Sequence, residues 1–86
     1  MNLKEEIIEF LICNQDYLKK ETDGLKRARD ILLEREQAIF REDLLEQYNC
    51  RIRQFIAFYT ADRLAIPAEW VIIQLERIDL EGFLNV

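Results

Sequence analysis

LKEEIIEFLICNQDYLKKE, residues 3–21, decides the fold class. Leu3, Ile7, Phe10, Leu11 and Leu18 recur at spacings of three and four, the repeat of one helix face. Ile8, Ile12, Cys13 and Tyr17 widen that stripe, and Asn14 interrupts it. A helix apolar over so much of its circumference needs more than one neighbour. Thr22-Asp23-Gly24 predicts the stop, because glycine takes the left-handed conformation that often ends a helix. Thr22 or Asp23 equally suits the cap of the next helix.

Residues 25–47 then predict a second, long helix. Leu25, Ala28, Leu32 and Ile39 form its main stripe, with Ile31 and Phe40 beside it. Lys26, Asp30 and Glu34 recur every four residues, as do Arg27, Ile31 and Arg35, and charges at that spacing are surface neighbours that give modest support. At about 1.5 Å per residue the helix is roughly 34 Å long and pairs with the first as an antiparallel hairpin. Tyr48-Asn49-Cys50 marks a candidate break, although Asn49 is the one turn-former there and the helix runs on equally well without it. Residues 51–64 read as helical, with Ile52, Phe55, Ile56, Tyr59 and Leu64 facing a core. Pro67 suits the first position of a last helix, 67–81, and Gly82 its stop. The expected fold is all-α, a single small domain over 1–86. Its helical hairpin spans 1–47, and two shorter helices follow over 51–86 in a helix-turn-helix-like arrangement.

Composition narrows the function classes. Half of the 86 residues are apolar and about a third charged, as in a folded chain, and two Gly and one Pro are too few turn-makers for a many-stranded fold. No His is present, which removes the commonest general base and the commonest metal ligand. The net charge of −5 disfavours a phosphate backbone at long range. Cys13 and Cys50 lack CxxC spacing and a His partner, so they predict neither a zinc site nor a nucleophile but buried free thiols in a reducing cytosol. Lys4, Glu5, Glu6 and Glu9 break the first apolar stretch, unlike the apolar region of a signal peptide, and no apolar run approaches a membrane span. Carboxylate groups at Glu5, Glu6 and Glu9, at Glu34 and Glu36, and at Glu42, Asp43 and Glu46 read as solvated helix faces. No catalytic residue, cofactor site or metal site is expected.

LAIPAEWVIIQLERIDLEGFL, residues 64–84, resembles the helix-turn-helix core of the winged-helix superfamily. Leu64, Ala65 and Ile66 stand where that family closes its first helix, and Val71, Leu75 and Ile78 where its second helix turns inward. Gly82, Phe83 and Leu84 stand where it leads into a strand. Ala61, four residues before Ala65, lets the two helices cross closely. The resemblance implies a DNA-reading second helix, and the chemistry departs from that. Its outward positions would be Ala68, Glu69, Ile72, Ile73 and Glu76, whereas base and phosphate contacts want Arg, Lys, Asn, Gln, Ser or Thr. With Val86 as the last residue, the second strand of a wing is not expected.

The same segment supplies the candidate site. Trp70, Ile73, Arg77 and Leu80 lie at i, i+3, i+7 and i+10, while Val71, Leu75 and Ile78 form a second stripe. One helix in a two-layer domain needs one apolar side, and this one has nearly two. The surplus is covered by the N-terminal helices or by another protein. The second alternative makes Trp70, Ile72, Ile73, Leu80 and Phe83 an apolar interface with Arg77 as polar anchor, since Trp and Arg are enriched at interface centres. The functional expectation is a non-enzymatic protein–protein interaction module. It would be a small cytosolic regulator, adaptor or inhibitor, self-associating as a homodimer or meeting a protein partner, with no nucleic acid, membrane or small-molecule substrate. The alternative is a helix-turn-helix DNA-binding transcriptional regulator, with phosphate contacts from Lys26, Arg27, Arg29, Arg51, Arg53 and Arg63.

Overall fold

The computed structural model describes residues 2–35, 38–80 and 82. The chain is all-α: α1 is Leu3–Cys13, α2 is Gln15–Arg35, α3 is Ala38–Leu64 and α4 is Ala68–Leu75. No strand occurs among the described residues.

The first break falls at Asn14, not at Thr22-Asp23-Gly24. Asn2 caps α1, its side chain accepting from the Glu5 amide at 2.9 Å, and Glu5 and Glu6 complement the positive end of the helix dipole. At the other end the Asn14 side-chain amide donates to the Phe10 carbonyl at 2.8 Å, offering the backbone an alternative to the helical ladder. The Leu18 amide then donates to the Asn14 carbonyl at 2.9 Å and starts α2. Thr22, expected as a cap, lies buried inside α2 and donates its hydroxyl back to the Leu18 carbonyl at 2.7 Å. Gly24 stays helical, without a positive φ.

The candidate break at Tyr48-Asn49-Cys50 is likewise helical, inside a 27-residue α3. Asn49 does not compete with its own backbone because its side chain is engaged elsewhere: Arg29 Nη1 donates to Asn49 Oδ1 at 2.8 Å across the α2–α3 seam. A second contact, Tyr17 against Tyr59 with ring centroids 4.9 Å apart, fixes the direction. As the α2 position rises from 17 to 29, the α3 position falls from 59 to 49, so the two helices run antiparallel. The hairpin's limits therefore shift along the chain, and α3 serves both the hairpin and the helix–turn–helix connection to α4.

That connection is tight. Ala65 sits at φ 55, in the left-handed region, and the Ile66 amide donates to the Ala61 carbonyl at 3.1 Å, a six-to-one closure that satisfies the helix end. Pro67 is extended and precedes the first helical residue, Ala68, rather than being that residue. α4 stops at Leu75, six residues before the expected end at 81. The Arg77 and Ile78 amides bond back three residues, to Gln74 and Leu75, and tighten the chain out of the α-helix. Asp79 then accepts from the Gly82 amide at 3.1 Å and caps a separate turn beginning at Leu80.

The core is Ile7, Leu11, Leu18, Ile52, Ile56, Ala57, Ala61, Val71, Leu75 and Leu80. It gathers one face of α1, the start of α2, the second half of α3 and the inner face of α4. The small residues Ala57 and Ala61 of α3 share this cluster with Val71 and Leu75 of α4, the combination that lets two helices cross closely. The outline is elongated, 45 × 23 × 19 Å, because the far ends of α2 and α3 project past this core.

Candidate protein-interaction surface

α4 divides its side chains cleanly. Val71 and Leu75 are buried, and Ala68, Ile72 and Ile78 pack half-buried against the core. On the opposite side Trp70 is 54% exposed and Ile73 49% exposed, and Arg77, also exposed, follows in the turn beyond the end of α4. Glu69 and Glu76, both exposed, flank that side. A tryptophan and an isoleucine held half in water three residues apart, with a guanidinium four residues on, match the composition of protein-contact centres.

Of the six residues expected at an interface, Trp70 and Ile73 therefore share the exposed side of α4, and Arg77 is exposed in the turn that follows. Ile72 contributes its outer half. Leu80 does not belong with them. The i+10 spacing assumed a helix running to 81, whereas the turn at residues 76–79 redirects the chain and Leu80 closes the base of the core. Phe83 lies outside the described residues.

Cys13 and Cys50 are free, as expected, but both are exposed rather than buried. Their helices turn Leu11 and Ile52 inward, which leaves these two positions facing water. Each opens on a shallow concavity. One is lined by Glu6, Glu9, Phe10, Cys13, Asn14 and Leu64, the other by Asp43, Glu46, Gln47, Cys50 and Arg51. Neither brings together a nucleophile, a base and an oxyanion donor, the geometry that acyl-transfer chemistry needs. Among the described residues no group of His, Cys, Asp and Glu converges with metal-binding geometry, and no helix is long and apolar enough to cross a membrane.

The basic residues assigned to DNA contact in the alternative reading lie on α2 and α3, not on α4. Arg27 meets Asp23 at 2.6 Å, and Arg29 meets Asp30 at 3.2 Å as well as Asn49. Arg51 stacks over the Tyr48 ring and Arg63 over the Tyr59 ring, at 5.3 and 5.2 Å. The helix that would enter a groove thus presents Glu69 and Glu76, while Arg27, Arg29, Arg51 and Arg63 are engaged with neighbours of their own.

Sequence reasoning missed the exposure of Ile31, Phe40 and Leu45, which stand 50%, 53% and 39% open to solvent on the projecting ends of α2 and α3. The signal was present: the heptad pattern of residues 25–47 fails at Arg35 and Glu42, so the apolar residues there do not all reach one seam. It missed too the aromatic group of Phe10, Tyr17, Phe55 and Tyr59, which forms only when α1, α2 and α3 meet. No family model, curated protein or solved structure matches the chain.

Proposed function

We propose that this protein is a non-enzymatic protein–protein interaction module, a small cytosolic regulator, adaptor or inhibitor that engages a protein through the outer face of α4. The observation that carries this reading is the split of α4 into a buried stripe, Val71 and Leu75, and an exposed pair, Trp70 and Ile73, with exposed Arg77 in the turn that follows. Two large apolar side chains standing in water gain most when another protein removes that water. Glu69 and Glu76 on the same face turn a nucleic acid away and favour a partner with basic groups around an apolar centre.

The alternative, a helix-turn-helix DNA-binding regulator, draws support from the short α3–α4 turn and from Ala57 and Ala61 beneath the crossing. It requires the cations of α2 and α3 to meet phosphates while α4 keeps its acids out of the groove. Two measurements on one preparation separate the readings. Affinity capture from the native cell with the wild type, and with Trp70→Ala and Ile73→Ala combined, is expected to recover a protein that the variant loses. Titration with duplex DNA across a salt series is expected to show no binding and no salt slope. A steep slope, abolished by Arg51→Ala and Arg53→Ala, establishes the DNA reading instead.

A further inference from the structure

Ile73 stands on the outer face of α4, four residues after Glu69 and three before Glu76, with Trp70 one turn back on its other side. The Glu76 amide still donates to the Ile72 carbonyl at 3.2 Å, so Glu76 keeps the helical spiral although it is the first residue beyond α4. In heptad terms Trp70 and Ile73 take the two seam positions of a coiled coil, and Glu69 and Glu76 take one flanking position twice. Both carboxylates are exposed and neither is in an ion pair with a described residue. Their positions lie about 10 Å apart along the axis. Resting on the reading of α4 as a protein-contact face, we propose that its occupant is a basic amphipathic helix of another protein. Apolar residues three and four apart on that helix cover Trp70 and Ile73, and Lys or Arg side chains seven apart meet Glu69 and Glu76.

Backbone and charge select that occupant. The peptide groups of a helix are already paired, so a strand finds no ladder to extend along α4, whereas a second helix interlocks side chain with side chain. Over residues 68–80 Glu69, Glu76 and Asp79 stand against Arg77 alone. Asp79 is held by the Gly82 amide, and Arg77 has left the α-helix for the turn. The flank made by Glu69, Ile73 and Glu76 therefore carries two carboxylates and no cation. A second copy of the same face, laid antiparallel, sets carboxylate against carboxylate, and an acidic helix meets the same repulsion. An uncharged helix strips water from both carboxylates and returns no partner.

Trp70 is the only tryptophan, so its emission reports cover on this face directly. The probes are three tryptophan-free helical peptides: a Leu seam flanked by Lys, a Leu seam flanked by Glu, and an Ala seam flanked by Lys. The first is expected to shift the emission of the full chain to the blue, less tightly as salt rises, and the other two to leave it unchanged. Glu69→Lys with Glu76→Lys is expected to weaken the Lys-flanked peptide about tenfold and to take up the Glu-flanked one instead. Glu42→Lys with Glu46→Lys, the same change of net charge at exposed positions of α3, is expected to bind as the wild type does. That contrast separates pairing at α4 from general attraction to an acidic chain. The proposal is overturned by an emission that the Lys-flanked peptide leaves unmoved at hundreds of micromolar. It is overturned too if the α3 and α4 reversals weaken binding alike. An emission that shifts with protein concentration alone puts a second copy on the face, with the same result. Should any of these accompany capture of a cell protein that Trp70→Ala with Ile73→Ala loses, the contact reading of α4 stands and the basic helix alone fails. Capture indifferent to that pair removes both.

Discussion

Arg29 of α2 and Asn49 of α3 are joined across the helical seam, Nη1 donating to Oδ1 at 2.8 Å, and Asn49 remains inside an unbroken helix. The Arg29 side chain is 17% exposed, so the bond is shielded from bulk water. Asn49→Ala is expected to lower unfolding free energy by about 1 kcal/mol despite alanine's better helix propensity, because a sheltered guanidinium loses an acceptor. Arg29→Ala combined with Asn49→Ala is expected to cost less than the sum of the single changes, as a double-mutant cycle by urea unfolding would record.

Thr22 and Thr60 are both fully buried, yet they differ. Thr22 donates to the Leu18 carbonyl, whereas the Thr60 hydroxyl has no hydrogen-bond partner. A buried hydroxyl without a partner loses its hydration and regains nothing. Thr60→Val is expected to raise stability by about 1 kcal/mol, and Thr22→Val to leave it unchanged or lower it. Thermal unfolding of the two variants side by side reads the contrast.

Gly24 is a helical glycine with open space around it: a Cβ there meets nothing within 4 Å. Gly24→Ala is expected to stabilise by about 0.5–1 kcal/mol, because alanine sacrifices less backbone freedom in a helix. A loss of stability at this position would place a turn there after all.

Ala65 holds φ 55, a conformation that costs a side-chain-bearing residue on the order of 1 kcal/mol. Ala65→Gly is expected to raise stability by about 0.5 kcal/mol, the relief being partly offset by the greater freedom of the unfolded chain. Ala65→Val, β-branched, is expected to cost about 2 kcal/mol. Chemical denaturation of both variants checks the sign of each.

The pattern of apolar residues made the helical class and most of the core legible. Ile7, Leu11, Leu18, Ile52, Ile56 and Leu75 follow from spacing alone, because a helix turns one face inward whatever it packs on. The breaks were less legible, because a breaker acts only when its side chain is unclaimed. Asn14 bonds its own preceding turn and ends α1, while Asn49, of the same chemistry, is held by Arg29 and ends nothing. Gly24 offered a freedom that no contact required it to use. In the candidate site the exposure of Trp70 and Ile73 follows from the two stripes of α4. The burial of Leu80 depends on the turn capped by Asp79, an event outside helical periodicity.

The 45 Å long axis has a hydrodynamic consequence. A body about twice as long as it is wide drags more solvent than a sphere of equal mass and rotates faster about its length than end over end. A lone subunit would leave a sizing column only marginally ahead of a sphere of equal mass, since translational drag responds weakly to so modest an elongation. Nuclear relaxation rates would vary between α4 and the long helices according to the angle each makes with that axis.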